Sequence, residues 1–483
     1  MYYNTTVNNF IVSTNLMLLL KNKYCEINNQ SLVEFSIFDY ILGNKTFFKD
    51  IFKLEYGENI NYKNIIQKRT VLYDYSNLIQ SELLRTDESI ELFSKLLKDN
   101  IHKFIKDKDI ILLALTGGFD GRLNLALMDK IDYKKIVCYT YGMAKSNQIS
   151  IAKEISSKLL LDYKPILLED DYENGFCDNG YLAIMLSNGY APFMRANFVY
   201  SFNKLKYFSR YSLNGLFGSE LIRPMHICGG QSLNYSTIEI FMSGNFDESF
   251  DKIYKKYLKC GFIMQKYFTN EIKDTIKSYI KDNYIDKYSG FTKKEILFIF
   301  YLKEGMRKFF MEELSIDKYF IEQYSPYLDI DFIELLFKSP FAGLYNGIFE
   351  ESRYKRRKGQ LFYAHLMEKA NNELSRIKTD RGYRPVDLLN NYNLYKVFLG
   401  YVFGKYFRKK IIGNDTYNTR KWENLFFKKY DNIIFNKDEL YDNNLSTKYK
   451  NGEYLFNDGY DFSRHFSLKL WFKEINKILM NQN

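Results

Sequence analysis

The stretch Asp109-Ile-Ile-Leu-Leu-Ala-Leu-Thr-Gly-Gly-Phe-Asp-Gly-Arg122 constrains this chain more than any other, because an apolar run stops abruptly in two glycines and an aspartate. Leu123-Asn-Leu-Ala-Leu-Met128 then continues at helical spacing. An unbroken apolar run of this length suits a strand buried on both faces. Two adjacent glycines let the backbone turn tightly and approach a ligand, and the amides that open the following helix favour an anion. The stretch therefore predicts strand, anion-cradling turn, helix.

The surrounding pattern extends this reading. Ser89 to Leu97 reads as an amphipathic helix leading into the turn. Beyond it, Lys135 to Tyr141 reads as a strand, Gln148 to Leu160 as a helix, Lys164 to Leu168 as a strand and Tyr211 to Asn214 as a further strand. Alternation of this kind predicts an α/β fold, a doubly wound parallel sheet whose ligands bind beyond the carboxyl ends of the strands. With 483 residues the chain is too long for one small core, so two or three domains are expected. Pattern changes divide it into a small mixed β unit over 1–80, marked by Asn9 to Ser13 and Lys53 to Gly57, then the α/β core over 81–235. A largely helical part follows over 236–483, where Asp331 to Phe337 is a clear helical segment.

In this order the motifs resemble the asparagine synthetase superfamily, and specifically its C-terminal ATP pyrophosphatase (PP-loop) domain. That family carries Ser-Gly-Gly-x-Asp-Ser after its first strand, matched here by Thr116-Gly-Gly-Phe-Asp-Gly121. Tyr139 to Gly142 followed by Ile151 to Ile155 resembles the second strand and helix, which hold adenine. Leu213-Asn-Gly-Leu-Phe-Gly-Ser-Glu-Leu221 resembles the family's Ser-Gly-Glu-Gly-x-Asp-Glu-Leu turn. Tyr324-Ser-Pro-Tyr-Leu-Asp329 with Ile333 to Pro340 resembles its Pro-Phe-Leu-Asp segment, Lys358 to Tyr363 its lysine-led helix, and Thr379 to Arg384 a motif near the substrate pocket. At the front, Val33 to Ile60 is similar to the connector after the family's glutaminase domain. Tyr2 stands where that glutaminase needs its cysteine nucleophile, so the chain is expected to lack a working glutaminase and to take its ammonia or amine from elsewhere.

The resemblance implies a ligase that uses ATP and Mg2+ to adenylate a small-molecule or peptide carboxylate, then forms an amide with ammonia or an amine. A separate protein could deliver that amine. The implied ATP-binding residues are Leu115, Thr116, Gly117, Gly118, Phe119, Asp120, Gly121, Arg122, Tyr141, Gly142, Asn214 and Gly215. Asp120 and Glu220 are the implied metal ligands, Glu220 with a catalytic role as well, and Lys358 the implied catalytic cation, in a basic cluster with Tyr354 to Arg357. Asp120 has the simpler alternative of capping a helix. Arg122, a cation in the first turn of a helix, either meets a phosphate or faces solvent. Two departures bear on activity: Leu216 stands where the family has a glutamate acid/base, and Ser219 where it has an aspartate. These leave a nucleotide-binding pseudoenzyme or scaffold as one alternative, and a PP-loop enzyme that adenylates tRNA bases as another.

Lys and Arg exceed Asp and Glu by 69 to 58, a net +11 spread along the chain. That dispersion argues against a nucleic-acid groove and is compatible with a site for a small polyanion. The five cysteines are scattered, with no C-x-x-C pair, which argues against a zinc or disulfide framework and for a reducing compartment. The four histidines are dispersed and read as structural or surface residues. No apolar run approaches the ~20 residues of a membrane span, so a cytoplasmic location without membrane contact is expected.

Overall fold

The computed structural model describes residues 1–6, 9–20, 25–63, 66–71, 74–79, 82–222, 232–260, 263–345, 358–390, 392–397, 399–400, 418–434, 440–441 and 460–480. The N-terminal part carries strands β1 (Tyr2–Thr6), β2 (Asn9–Ser13), β3 (Ile51–Lys53), β4 (Glu58–Lys63) and β5 (Ile66–Val71). β1 pairs antiparallel with β2 on one side and β3 on the other, while β4 and β5 form a separate hairpin. Of the alternating stretch from Lys53 to Gly57, only Lys53 belongs to a strand, because Gly57 turns the chain at φ +64°.

Five further strands build one sheet: β6 (Ile111–Ala114), β7 (Ile136–Gly142), β8 (Asp162–Leu167), β9 (Tyr211–Leu213) and β10 (Glu322–Tyr324). Their order is β10-β9-β6-β7-β8 and every neighbouring pair is parallel. The chain steps outward from β6 through β7 to β8, then returns to the other side of β6 for β9 and β10. Strand order therefore reverses between β6 and β9, which opens a crevice at their carboxyl ends.

Side-chain alternation divides the sheet between two cores. Ile111, Leu113, Ile136 and Cys138 join the main hydrophobic cluster on one face. Leu112, Val137, Tyr139 and Ile166 pack on the other face against Val199 and Phe202 of helix Ala196–Leu205 and against Ile316 and Phe320 of helix Arg307–Phe320. Both faces being covered explains why β6 is apolar without interruption. The helix expected around Ser89 to Leu97 runs from Thr86 to Ile105, and it buries Ile90, Phe93, Leu97, Ile101 and Ile105 along one stripe. Phe93 meets Phe362 edge-on, with ring centres 4.9 Å apart.

The remaining expected elements agree to within two or three residues at their ends: helix Asn147–Lys158 is capped by Ser146, and helix Ile330–Phe337 by Asp329. β10 is a correction, since it lies in the region read as helical. It is three residues long and half exposed, so its strand character comes from pairing with β9 rather than from its own pattern.

The main cluster contains residues from all three segments of the chain. Phe35 packs edge-on against His465 at 5.5 Å, Phe48 against Trp471 at 6.0 Å, and Phe38 lies 6.2 Å from Phe300. An ionic contact adds to this apolar one. Glu304, in the π-helical stretch Tyr301–Met306, is 2% exposed. Its carboxylate accepts from Gly43 N at 3.1 Å and Tyr279 Oη at 2.9 Å, and it pairs with Lys308. Burial by itself would raise the Glu304 pKa, but Lys308 and the tyrosine hydroxyls outweigh it and hold the carboxyl below its ordinary value. Among the described residues no helix is long and apolar enough to cross a membrane.

Two outcomes follow for this contact. Glu304→Gln leaves Lys308 short of a buried counter-charge and should cost roughly 3 kcal/mol in urea unfolding. Because the native pKa is depressed, the carboxylate's contribution is complete above the unfolded-state pKa and disappears as pH falls through the native one. The stability difference between wild type and Glu304→Gln should therefore shrink only under strongly acid conditions.

Candidate functional site

The turn after β6 is tied to its neighbours before it can meet any ligand. Leu115 N donates to the Tyr139 carbonyl at 2.9 Å, and the Thr140 hydroxyl donates back to the Leu115 carbonyl. A Cβ at Gly121 would run into the Ala114 carbonyl oxygen, one at Gly215 into the Asp120 Cβ, and one at Gly218 would lie 2.6 Å from Asp120 Oδ1. The turns after β6 and after β9 are thus in direct contact, and glycine is what permits it.

Asp120 sits at that contact as the first residue of helix Asp120–Ala126. The N-cap is Phe119 and makes no side-chain capping bond, so the capping alternative for Asp120 is set aside. Its Oδ2 instead accepts from Ser219 Oγ at 3.0 Å, its Oδ1 from the Tyr363 hydroxyl, and its carbonyl from Tyr327 Oη at 3.2 Å. Tyr363 belongs to helix Lys358–Ala370, which brings the lysine-led helix against the turn. The Tyr354 to Arg357 cluster and the side chain of Lys358 lie outside the described residues.

Three further expectations need correction. Gly117 N, read as a donor to phosphate, donates to Gln148 Oε1 at 2.7 Å, and Gly118 N donates to the Thr116 hydroxyl at 3.1 Å. Arg122 neither faces solvent nor spends its donors on an anion. It is fully buried and donates to the carbonyls of Ile377 at 2.7 Å and Lys378 at 3.1 Å. Burial lowers its pKa to about 10, against the opposing charges of Asp380 and Glu154. Its physical task is to hold the 377–384 segment on the turn, where Asp380 N donates to the Gly117 carbonyl at 3.1 Å.

A crevice of about 440 Å³ opens beside the turn, between the carboxyl edge of the sheet and helices Ala196–Leu205 and Arg307–Phe320. That volume lies within the range of small-molecule sites. Of the residues expected from sequence, Thr116, Tyr141, Asn214 and Glu220 line it, as does Leu216. Leu115 and Phe119 are buried in the main core, and Gly142 is paired within the sheet with Leu167. Asn214 is fixed from several sides: its side chain donates to Gln323, its Oδ1 accepts from Leu216 N at 3.1 Å, and its carbonyl accepts from Asn124 Nδ2 at 2.7 Å.

The sequence reading missed most of the far wall, including Phe198, Phe202, Phe310, Leu314 and Asp317. Phe310, Leu314 and Asp317 fall in the part read as helical, whereas the helix of Phe198 and Phe202 was not read from the sequence, and nothing local says that two distant helices close over one sheet edge. Phe217 also lines the crevice and adopts φ +70°, a conformation that is strained for an aromatic residue, with its ring edge-on to Phe310 at 5.4 Å. The wall is aromatic and the rim polar.

Elsewhere, His102 Nε2 lies 3.1 Å from Asp129 and 3.8 Å from Asp132, with Lys98 also paired to Asp129, in keeping with a surface histidine. Burial lowers the His465 pKa to about 3, as expected of a structural one, and His226 lies outside the described residues. Cys25, Cys138 and Cys177 are free thiols. No family model matches the chain, and no curated protein matches it.

Replacing Arg122 with Met removes the donors to two carbonyls of the 377–384 segment. The variant should lose about 2 kcal/mol of stability and show faster amide hydrogen exchange over residues 377–384 than over β6.

Proposed function

We propose that this crevice binds ATP and that the chain is an AMP-forming, asparagine synthetase-like amide ligase with a PP-loop sheet. One observation carries the reading: a Thr-Gly-Gly-x-Asp turn leaves the central strand β6 at the point where strand order reverses, and its Thr116 lines a cavity of small-molecule size. The strand order, read from β6 outward through β7 to β8, is that of one mononucleotide-binding half of a doubly wound sheet, which supports a nucleotide as ligand. Helix Asp120–Ala126 has only seven residues and the Gly117 and Gly118 amides are taken by Gln148 and Thr116, so anion binding would rest on a bound cation more than on those amides or a helix dipole.

Magnesium fits the donor set. Asp120 offers a carboxylate that accepts from two hydroxyls, and such hydroxyls can rotate to offer lone pairs to a cation instead. Asp120 and Ser219 would hold the ion, with Glu220 in the crevice wall as a further oxygen donor. Bound there, Mg2+ would neutralise charge on a leaving diphosphate. In the reaction proposed, a substrate carboxylate oxygen bonds to the α-phosphorus of ATP as pyrophosphate leaves. The amine nitrogen then bonds to the acyl carbon as AMP leaves and one proton is released. The protein's part is to hold the polyphosphate at the β6 turn and keep water from the acyl-adenylate with the aromatic wall of Phe198, Phe202 and Phe310.

Leu216 and Ser219 favour a second reading, a nucleotide-binding pseudoenzyme, since Leu216 cannot act as the glutamate acid/base of the family it resembles and Ser219 is a weaker Mg2+ ligand than the aspartate found there. Calorimetric titration with Mg-ATP and a pyrophosphate-release assay over a panel of carboxylates and amines separate the two. Release with at least one acid and amine pair is the outcome expected of the ligase. Binding without release points to the pseudoenzyme, and no nucleotide binding overturns both. Asp120→Asn should weaken Mg-ATP binding at least tenfold while leaving the melting temperature within a few degrees.

A further inference from the structure

Thr379 to Arg384, which resembles a motif near the family's substrate pocket, lies in a segment that makes a specific contact in the structure. Gly117 is gripped on both sides of its residue. Its N–H goes to Gln148 Oε1 at 2.7 Å, and its carbonyl receives Asp380 N at 3.1 Å. Gln148 Nε2 in turn donates to Asp380 Oδ2 at 3.0 Å, so the orientation of the Gln148 amide is fixed by its two partners. Arg122 anchors the same segment through the Ile377 and Lys378 carbonyls. A Cβ at Gly117 would lie 2.9 Å from the Asp380 Cβ. A carboxylate thus stands one residue from the turn, in a relay whose middle member, Gln148, also lines the crevice.

Charge makes this arrangement selective. A free anion at the turn meets the Asp380 carboxylate at short range in a partly buried setting, where repulsion is poorly screened. Arg122 offsets part of that charge, but both of its terminal nitrogens donate to the carbonyls of Ile377 and Lys378. An anion already complexed with a divalent cation carries less net charge and pays less of this repulsion. We propose that Asp380 makes the crevice selective for metal-complexed polyphosphate over free anions, with Gln148 and Arg122 as positioning residues that keep Asp380 and Gly117 in register. This rests on the reading of the crevice as a polyphosphate site.

The test is calorimetric titration of the full chain with inorganic pyrophosphate, with and without Mg2+, for wild type, Asp380→Asn and Asp380→Glu. Asn keeps an oxygen acceptor for Gln148 and removes the charge, whereas Glu keeps the charge. Expected are at least tenfold tighter binding of Mg-pyrophosphate than of free pyrophosphate by wild type, and about tenfold tighter binding of free pyrophosphate by Asp380→Asn, with the Mg complex changed less than threefold. Asp380→Glu should keep the wild-type discrimination, a result that a purely structural role for Asp380 does not require. Equal changes for the free and complexed ligand, or no discrimination by wild type, overturn the role given to Asp380 and leave the polyphosphate site standing. If wild type binds neither Mg-pyrophosphate nor Mg-ATP, the polyphosphate reading fails and this inference with it.

Discussion

Two turns touch at the carboxyl edge of the parallel sheet, the glycines of one lying directly on Asp120 of the other, and the site is organised around that contact. Gly121 lies against the Ala114 carbonyl, while Gly215 and Gly218 lie against Asp120. Because the turn after β9 can come this close, Ser219 reaches the Asp120 carboxylate from one side and Tyr363 reaches it from another. An extra methyl group at Gly215 or Gly218 would push the turns apart and open the polar cluster to water, and one at Gly121 would push the helix off the end of β6. Packing density leaves no slack to absorb such a shift.

The same edge combines a rigid floor with an aromatic roof. The floor is the sheet, buried on both faces and pinned to the turn by Leu115, Tyr139 and Thr140. The roof is built by helices Ala196–Leu205 and Arg307–Phe320, which supply Phe198, Phe202, Phe310 and Leu314. Strain at Phe217 fits this division, since a left-handed aromatic residue persists only where its surroundings hold it. A polar rim beside an aromatic wall suits a ligand with a charged end and a flat or apolar body, as a nucleotide has.

How much of this was legible can be argued residue by residue. The strand, turn and helix at Asp109 to Met128 were legible because burial on both faces and a glycine-enforced turn leave marks in local sequence. β7 was legible for the first of these reasons, whereas β8, an edge strand in which only Ile166 is buried, was legible from its place in the alternation of strands and helices. β10 was not, because three half-exposed residues carry no periodicity and become a strand only beside β9. For Arg122, helix position suggested an anion or solvent, whereas its partners are the Ile377 and Lys378 carbonyls, some 250 residues away in the chain. For Gly117, the free N–H that a glycine turn suggests is occupied by Gln148, a residue whose local pattern marks only the start of a helix.

The sequence by itself determined that an α/β unit would form, that a tight glycine turn would follow its central strand, and that an acidic residue would stand at that turn. Such features depend on local sterics and on hydrophobic periodicity, which neighbours along the chain decide. Only the tertiary structure decided what the turn touches: Gln148 and Asp380 at Gly117, Ser219 and Tyr363 at Asp120, and the helices that close the crevice. Those partners come from distant parts of the chain and are brought together by burial of one shared core, a non-directional force that leaves no mark on any single segment.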